Sequence, residues 1–473
     1  MSNLTTALYT ARTGLASTQT LSSVTADNIA NSATPGYVRR SALLSSAGPD
    51  QGGALVREIR REVDHALVRM SRRETSRMAR QQAVHEGLAS YTVYLGQPGD
   101  GISPAEKFSA FQNSLTTLVN SPSSNGAQSG AVLAAEDLAA SIRGASETLT
   151  ETRAEVVMEI RYEVAELNQA LYDLAALNNS RRNFAPGTAE AAQFDDDIDS
   201  LLDQISGIAD IRTSRASDGL LSVYTTGGVA LLEGDTVHDV TYNTGDGTLK
   251  AGVNDITPDR AGIRGLEQGS LAGLSELSQE ILPQFQLQLD EYARSLIEAF
   301  ENADASLSAG QPGLFTDNGF ALDPNDTEGL AARIAVNDAV KVGIGSEVWK
   351  LRDGLGATAE GEASDSTQIQ AFLDALDAPA GVDSATGIPA TVSIADLGAE
   401  IVTAQSTTRA RAESQFNAAS SAAAVVLSAR QNAEGVNIDE EMQKLLLIEQ
   451  SYAANSKMLQ TISEMMDTLL AAV

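Results

Sequence analysis

The sequence predicts a mainly α fold with a small β insertion: a terminal α-helical coiled coil, a long-helix bundle as the body, and an outer β-rich domain. Three observations carry this. The 473 residues are 42% hydrophobic but only 4% aromatic, with a single Trp. Much of that apolar content is Ala, which suits long helices packed side by side. Long Pro-free stretches at both ends keep the 3, 4 and 7 spacing of helix faces. A middle stretch instead breaks into short apolar runs between Gly-rich turns.

The elements follow in order. Leu4, Leu8, Ala11 and Leu15 fall at spacings of 4, 3 and 4, one face of a helix that ends at Thr34-Pro35-Gly36. After Gly52-Gly53 a second periodic stretch carries Val63, Leu67, Met70, Leu88 and Tyr91 and closes near Gly96-Gln97-Pro98-Gly99. Ser103-Pro104-Ala105-Glu106 reads as a capping box with Pro at the first helical position. A long helix is expected through Leu149, Val156, Ile160, Leu167 and Leu174, then a shorter one through Phe194, Ile198 and Ile205. From about 219 to 272, Gly227-Gly228 and Thr244-Gly245-Asp246-Gly247 separate strands. Helical spacing returns at Leu274, and Pro283 should kink that helix or open its first turn. Residues 305–390 are irregular, with a short strand at 333–336 and a short helix at 368–376; a long helix spans about 394–433. Asn437 and Glu440 make an N-cap pair for the last helix. There Ile438, Leu445, Tyr452, Leu459 and Met466 recur every seven residues, a seam that needs a partner helix. The expected domains are 1–45 with 435–473 (coiled coil), 46–218 with 273–434 (helical body), and 219–272 (β-rich).

Composition excludes several functions. Lys and Arg number 32 against 63 Asp and Glu, a net charge of −31 that repels nucleic acid and anionic membrane. There is no Cys, so disulfides, thiolate metal sites and Cys nucleophiles are out. Three scattered His make no metal set, and no cofactor is expected. The longest strongly apolar stretch, Ala422 to Leu427, is far short of the roughly 20 residues of a membrane span. The N-terminus has no basic or apolar leader segment. No phosphate-binding loop, zinc-protease motif or nucleophile elbow occurs. Asp195-x-Asp197-x-Asp199 opens like a calcium loop but has Ser200 and Ser206 where Gly and Glu are needed, so it reads as a solvated acidic helix face. The arginines from Arg57 to Arg80 read as a helix face paired with acidic neighbours, within the chain or across subunits.

The two ends carry the most specific pattern. Gly14-Leu15, Gln19, Asn28-Ile29-Ala30-Asn31 and Thr34-Pro35-Gly36-Tyr37 resemble the N-terminal signature of bacterial flagellar rod, hook and hook-associated proteins. Gly435-Val436-Asn437-Ile438-Asp439-Glu440-Glu441, Leu445, Gln450, Tyr452 and Leu469-Leu470 resemble the C-terminal signature of the same axial family. Val38-Arg39-Arg40 replaces the Ser-Arg-Gln-like ending usual there. The helical body, with Gly269 to Leu274, Ile281-Leu282-Pro283 and Leu289, is similar to the hook-associated branch.

The resemblance implies a non-enzymatic structural subunit at the junction between hook and filament, polymerising through its paired terminal helices. It implies self-association in a ring, contact with the hook protein and a second hook-associated junction protein, and a cytosolic export chaperone on the C-terminal helix. It also implies extracellular placement by flagellar type III export without a cleaved signal, and neither nucleic-acid binding nor membrane insertion. The residues it marks for subunit contact are Leu4, Leu8, Ala11, Leu15, Asn28, Ile29, Asn31, Pro35, Gly36, Tyr37, Ile438, Leu445, Tyr452, Leu459 and Met466. Two narrow helices bury too little to offset the entropy of ordering them, so their order is expected to depend on neighbouring subunits. The alternatives are the hook protein or another axial subunit, a cell-wall hydrolase within 305–390, and a cytosolic coiled-coil scaffold.

Overall fold

A computed structural model describes residues 2–48, 52–95, 103–216, 219–260, 264–343 and 345–471. The expected turn at Gly96 to Gly99 lies outside the described residues, as do the side chains of Leu469 and Leu470. The fold is mainly α with small antiparallel sheets, as the sequence predicts. Helix α1 (Ser2–Ala30) is followed by a hairpin of β1 (Arg40–Ser46) and β2 (Ala54–Arg61), bulged between Leu43 and Leu44. The sequence pattern did not announce this hairpin. Its strands lack clean alternation, and its inward side chains include Arg40 and Arg61.

The body follows: α2 (His65–Leu95), α3 (Pro104–Asn120), α4 (Asn125–Arg181) and α5 (Ala189–Ile208). Helix α3 starts as expected, with the Ser103 hydroxyl accepting from the Glu106 N–H and Pro104 in the first turn. The 57 residues of α4 make a rod roughly 85 Å long, buried along Leu138, Ile142, Leu149, Ile160, Leu167 and Leu174.

Strands β3 (Ile211–Arg215), β4 (Leu221–Thr225), β5 (Ala230–Glu233) and β6 (Thr236–Val237) form one antiparallel sheet in chain order. Strands β7 (Val240–Asn243), β8 (Thr248–Ala251) and β9 (Asn254–Asp255) form another. Both are tied to the C-terminal half of α4. The Asn168 amide donates to the Val240 carbonyl at 2.8 Å, and the Asn178 amide donates to Leu221 and Gly234.

Helix α6 (Ser270–Glu276) passes through a π turn at Leu277–Ile281 into α7 (Leu282–Ala303), with Pro283 in the first turn of α7. Residues 305–390 dock on α7 as short pieces: strand β10 (Phe315–Asp317), α8 (Leu330–Arg333), β11 (Ile334–Val336), α9 (Lys350–Asp353), α10 (Thr367–Asp377) and β12 (Pro379–Gly381). Strand β13 (Thr391–Ser393) leads into α11 (Ile394–Glu434), and α12 (Ile438–Ala471) ends the description. The body core is aromatic at this end. Phe111, Phe300, Phe315 and Phe372 are fully buried, with Phe300 4.9 Å from Phe372 and 5.1 Å from Phe315 between ring centres.

Candidate subunit interface

Helices α1 and α12 pair antiparallel. Two contacts fix the register. Gly14 meets Asn455, where an added Cβ would sit 2.9 Å from the amide, and Asn28 meets Glu441. Fourteen residues along one helix therefore match fourteen back along the other. The same register sets Leu21 opposite Ile448 and Ala7 opposite Ile462. These positions repeat every seven residues, which is how two helices keep one seam. Ile462 is 3% exposed and Glu441 1%.

The residues singled out from the sequence divide here. Ala11 is wholly buried, while Leu4, Leu8 and Leu15 are half-buried. Leu445 and Leu459 are half-buried beside the seam. Ile438, Tyr452 and Met466 turn away from it and are exposed, as are Met442, Leu446, Leu447 and Met458. The stripe that faces α1 is thus Glu441, Ile448, Asn455 and Ile462, one step around the helix from the apolar heptad, and much of that heptad is left bare.

The turn after α1 explains the N-terminal motif. The Asn31 amide caps the Asp27 carbonyl, and Thr34-Pro35-Gly36-Tyr37 is a turn closed by the Tyr37 N–H on the Thr34 carbonyl. Pro35 supplies its fixed φ and Gly36 stands at φ 78°, the type II pattern. Pro35 and Gly36 are exposed, and Asn31 and Ile29 half-buried. The reversal brings Tyr37 back to Asn28, whose oxygen accepts from the Tyr37 hydroxyl at 2.9 Å. That oxygen also accepts from the Arg40 N–H, while the Asn28 amide donates to the Arg40 carbonyl and to Glu441. All four hydrogen-bonding positions of a buried Asn are used, and Ala could replace none of them. Burial pushes the Tyr37 hydroxyl up to about 12, against the pull of the Arg40 charge, so it stays a donor.

From Asn28 an alternating ladder of charges runs into the body. Arg40 meets Asp196 at 2.6 Å, and Asp196 meets Arg61 at 2.7 Å. Asp199 bridges Arg61 and Arg72 at 2.7 and 2.9 Å, and Asp203 bridges Arg72 and Arg430 at 2.6 and 2.8 Å. Arg430 holds Glu434, whose other carboxylate oxygen accepts from the Asp64 N–H. The Glu434 carbonyl accepts from the Arg39 N–H, and the Arg39 guanidinium returns to Glu441 at 2.9 Å. The circuit closes. It ties α1, the hairpin, α2, α5, α11 and α12 at one joint.

Asp196, Asp199 and Asp203 share one face of α5 because they stand three and four residues apart. Of the acidic run read as a solvated face, Asp197 is exposed as expected, while Asp195 and Asp199 are half-buried and paired within the chain, Asp195 with Arg181 and Asp199 with Arg61 and Arg72. Burial pulls the Asp199 carboxyl up, and the guanidiniums of Arg61 and Arg72 outweigh it and hold the group below its ordinary value. At Asp196 burial wins over the same kind of partners. Asn437 caps α12 through the Asp439 and Glu440 N–H groups, so the chain leaves α11 at Gly435 and restarts at a fixed point. Sequence reasoning missed Arg39, Arg40, Glu434 and Glu441 as members of one site. The signal for Arg39 and Arg40 was the Arg-Arg departure at the end of the N-terminal motif; nothing local pointed to Glu434 and Glu441.

Among the described residues no helix is long and apolar enough to cross a membrane, and no group of three His, Cys, Asp or Glu is arranged to hold a metal.

Three family models match in chain order: Flagella basal body rod protein over residues 8–37, Flagellar hook-associated protein FlgK helical domain over 92–313, and Flagellar basal body rod FlgEFG protein C-terminal over 428–472. A chain with these two ends around that body is an axial structural protein of the bacterial flagellum. Along nearly its whole length it is similar to the flagellar hook-associated protein 1 of Bacillus subtilis (strain 168), 24% identical with 98% of this chain and 97% of that protein covered. The hook-associated protein 1 of Salmonella typhimurium (strain LT2) is 23% identical over 97% and 98%. A solved structure of the flagellar hook junction protein FlgK from Burkholderia pseudomallei matches 53% of this chain and 47% of that one, at 20% identity and a TM-score of 0.44. Over nearly its whole length the chain is similar to the flagellar hook-associated protein 1 family, and these matches support a structural subunit of the flagellum where hook and filament meet.

Proposed function

We propose that this chain works by forming a ring of identical subunits between the hook and a second hook-associated junction protein. The antiparallel α1–α12 pair lines the inner tube, and the body and its two sheets face outward. The subunit catalyses no reaction. It leaves the cell through the flagellar type III apparatus without a cleaved signal, with a cytosolic chaperone holding α12 beforehand.

One observation carries the reading: α12 gives one face to α1 and leaves Leu446, Leu447, Tyr452 and Met458 between 48% and 63% exposed. Exposed apolar area of that extent around one helix marks contact surface. Ile438, Tyr452 and Met466 keep the seven-residue register on one flank of α12, and Leu447, Met458 and Met465 lie on the other, so further helices can be laid along both flanks, which identical neighbours supply. Ile438, Tyr452 and Met466 then contact sister subunits, while Asn28 and Tyr37 act within the subunit by fixing how the pair leaves the body.

Leu447→Asp tests this, because Leu447 is 63% exposed and its loss should change the stability of the single chain by no more than about 0.5 kcal/mol. The variant should melt like the parent and vanish from sheared flagella. Flagella that incorporate it at the parental level would refute the assignment of this face.

A further inference from the structure

Arg69, Arg73 and Arg77 stand four residues apart on α2 and are exposed. With Arg212 of β3 they line a groove that Glu267 and Gln268 help to close. Among the described residues no carboxylate pairs with Arg69, Arg73 or Arg212, and Arg77 has only Glu74 at 3.8 Å. The other arginines of this helix, Arg72 and Arg80, are each engaged by two carboxylates. The buried Asp210 of the groove accepts from the Glu267 N–H instead of from a guanidinium. A row of uncompensated cations is costly to ignore in a chain of net charge −31.

The same chain carries the complementary row. A second groove lies between α2 and α4, lined by Glu86, Glu155, Glu159, Glu163 and Glu166. Glu155, Glu159 and Glu163 repeat every four residues, the same pitch as the arginines. Arg153 and Arg161, each two residues from one of these glutamates, fall on the far side of α4. Met158 and Tyr162, 61% and 64% exposed, flank the carboxylates, and Met70, 50% exposed, flanks the arginines. Each row therefore has apolar area beside its charge, and a tyrosine face suits a guanidinium.

Position decides how the rows can meet. Arg73 and Glu86 are thirteen residues apart on α2, which turns them about 140° from each other around its axis. The two rows thus occupy separate faces of the body. Two different patches make a head-to-tail contact, and such contacts close into rings where the rotation allows.

We infer that the α2 arginine row of one subunit docks on the α4 carboxylate row of the next copy of this chain, forming the lateral contact of the body. This rests on the ring assembly proposed above. The occupant is a second copy because the chain supplies both charges at matching pitch on separate faces.

Two charge reversals test the contact in the full chain, expressed in place of the parent in its own flagellated cells: Arg73→Glu with Arg77→Glu, and Glu155→Arg with Glu159→Arg. The readout is the amount of each chain in sheared flagella. Each reversal alone places like charges face to face and should lower incorporation by about tenfold or more. Co-expressing the two variants, or combining all four changes in one chain, should restore it. Either reversal incorporated at the parental level, or a combination no better than the single reversals, overturns the inference. The neutral pair Arg73→Gln with Arg77→Gln guards against misfolding: it should keep the parental circular dichroism yet lose incorporation several-fold, and parental incorporation of this pair also overturns the contact. A parental chain absent from sheared flagella would instead overturn the ring assembly itself.

Discussion

The body and the terminal pair are both helical, but they are held by different means. At the body's aromatic end, Phe111, Phe300, Phe315 and Phe372 meet ring on ring with no solvent access. In the terminal pair the seam is mostly small and polar on α1, with few aliphatic contacts: Ala11, Gly14, Thr18, Leu21, Thr25 and Asn28, against Ile448, Asn455, Ile462 and Glu441 on α12. An aromatic core stabilises a subunit by itself. A seam of Gly, Ala and Thr lets helices approach closely but buries little apolar area, and it leaves the outer face of α12 for something else. The difference teaches where the fold is self-sufficient and where it is completed by assembly.

The largest break in that contrast is in the body. Phe300→Ala removes a ring that touches three others, and truncating a buried Phe costs about 3–5 kcal/mol. The urea midpoint of the whole body should fall accordingly. A midpoint within a few tenths molar of the parent would show that this cluster does not hold the body together.

A smaller effect is expected at the joint between the two regions. Asp199→Asn leaves Arg61 and Arg72 short of a shared carboxylate and should cost about 3 kcal/mol at neutral pH. Asp199 is held below its ordinary value of 3.8, so its contribution is whole above that value and drains away as pH falls through the lower folded one. The gap between variant and parent should therefore close on acidification below about pH 4. A gap that is constant from pH 7 to pH 3 would mean that the ion pairs at Asp199 contribute nothing pH-dependent.

How much of this was legible follows from the physics of each part. Helices α3, α4, α11 and α12 announce themselves, because a capping box at Ser103, an unbroken Pro-free run and an N-cap at Asn437 act over a few residues. The β1–β2 hairpin does not, since Arg40 and Arg61 point inward and break the alternation that marks a strand; they point inward because Asp196 of α5 lies about 135 to 156 residues away in the chain. Nothing local reveals that pairing. At the termini, the heptad of Ile438, Leu445, Tyr452, Leu459 and Met466 shows that α12 has an apolar stripe. It does not show that α1 takes the neighbouring stripe, because that register is chosen by Gly14 against Asn455 and by Asn28 against Glu441.

The smallest expected effect sharpens the comparison most. Tyr37→Phe deletes one hydroxyl that donates to Asn28, and its ring still lies beneath the Arg40 guanidinium, 4.9 Å from the ring centre. A single neutral hydrogen bond contributes about 0.5–1.5 kcal/mol. Asn28 keeps its bonds to the Arg40 backbone and to Glu441, so the loss should stay local. Hydrogen exchange should speed up at Arg40 and along the last turns of α1, and remain at parental rates in α4 and α7. If exchange rises equally in the body, the joint couples the two regions so tightly that they unfold as one, and the division drawn between them fails.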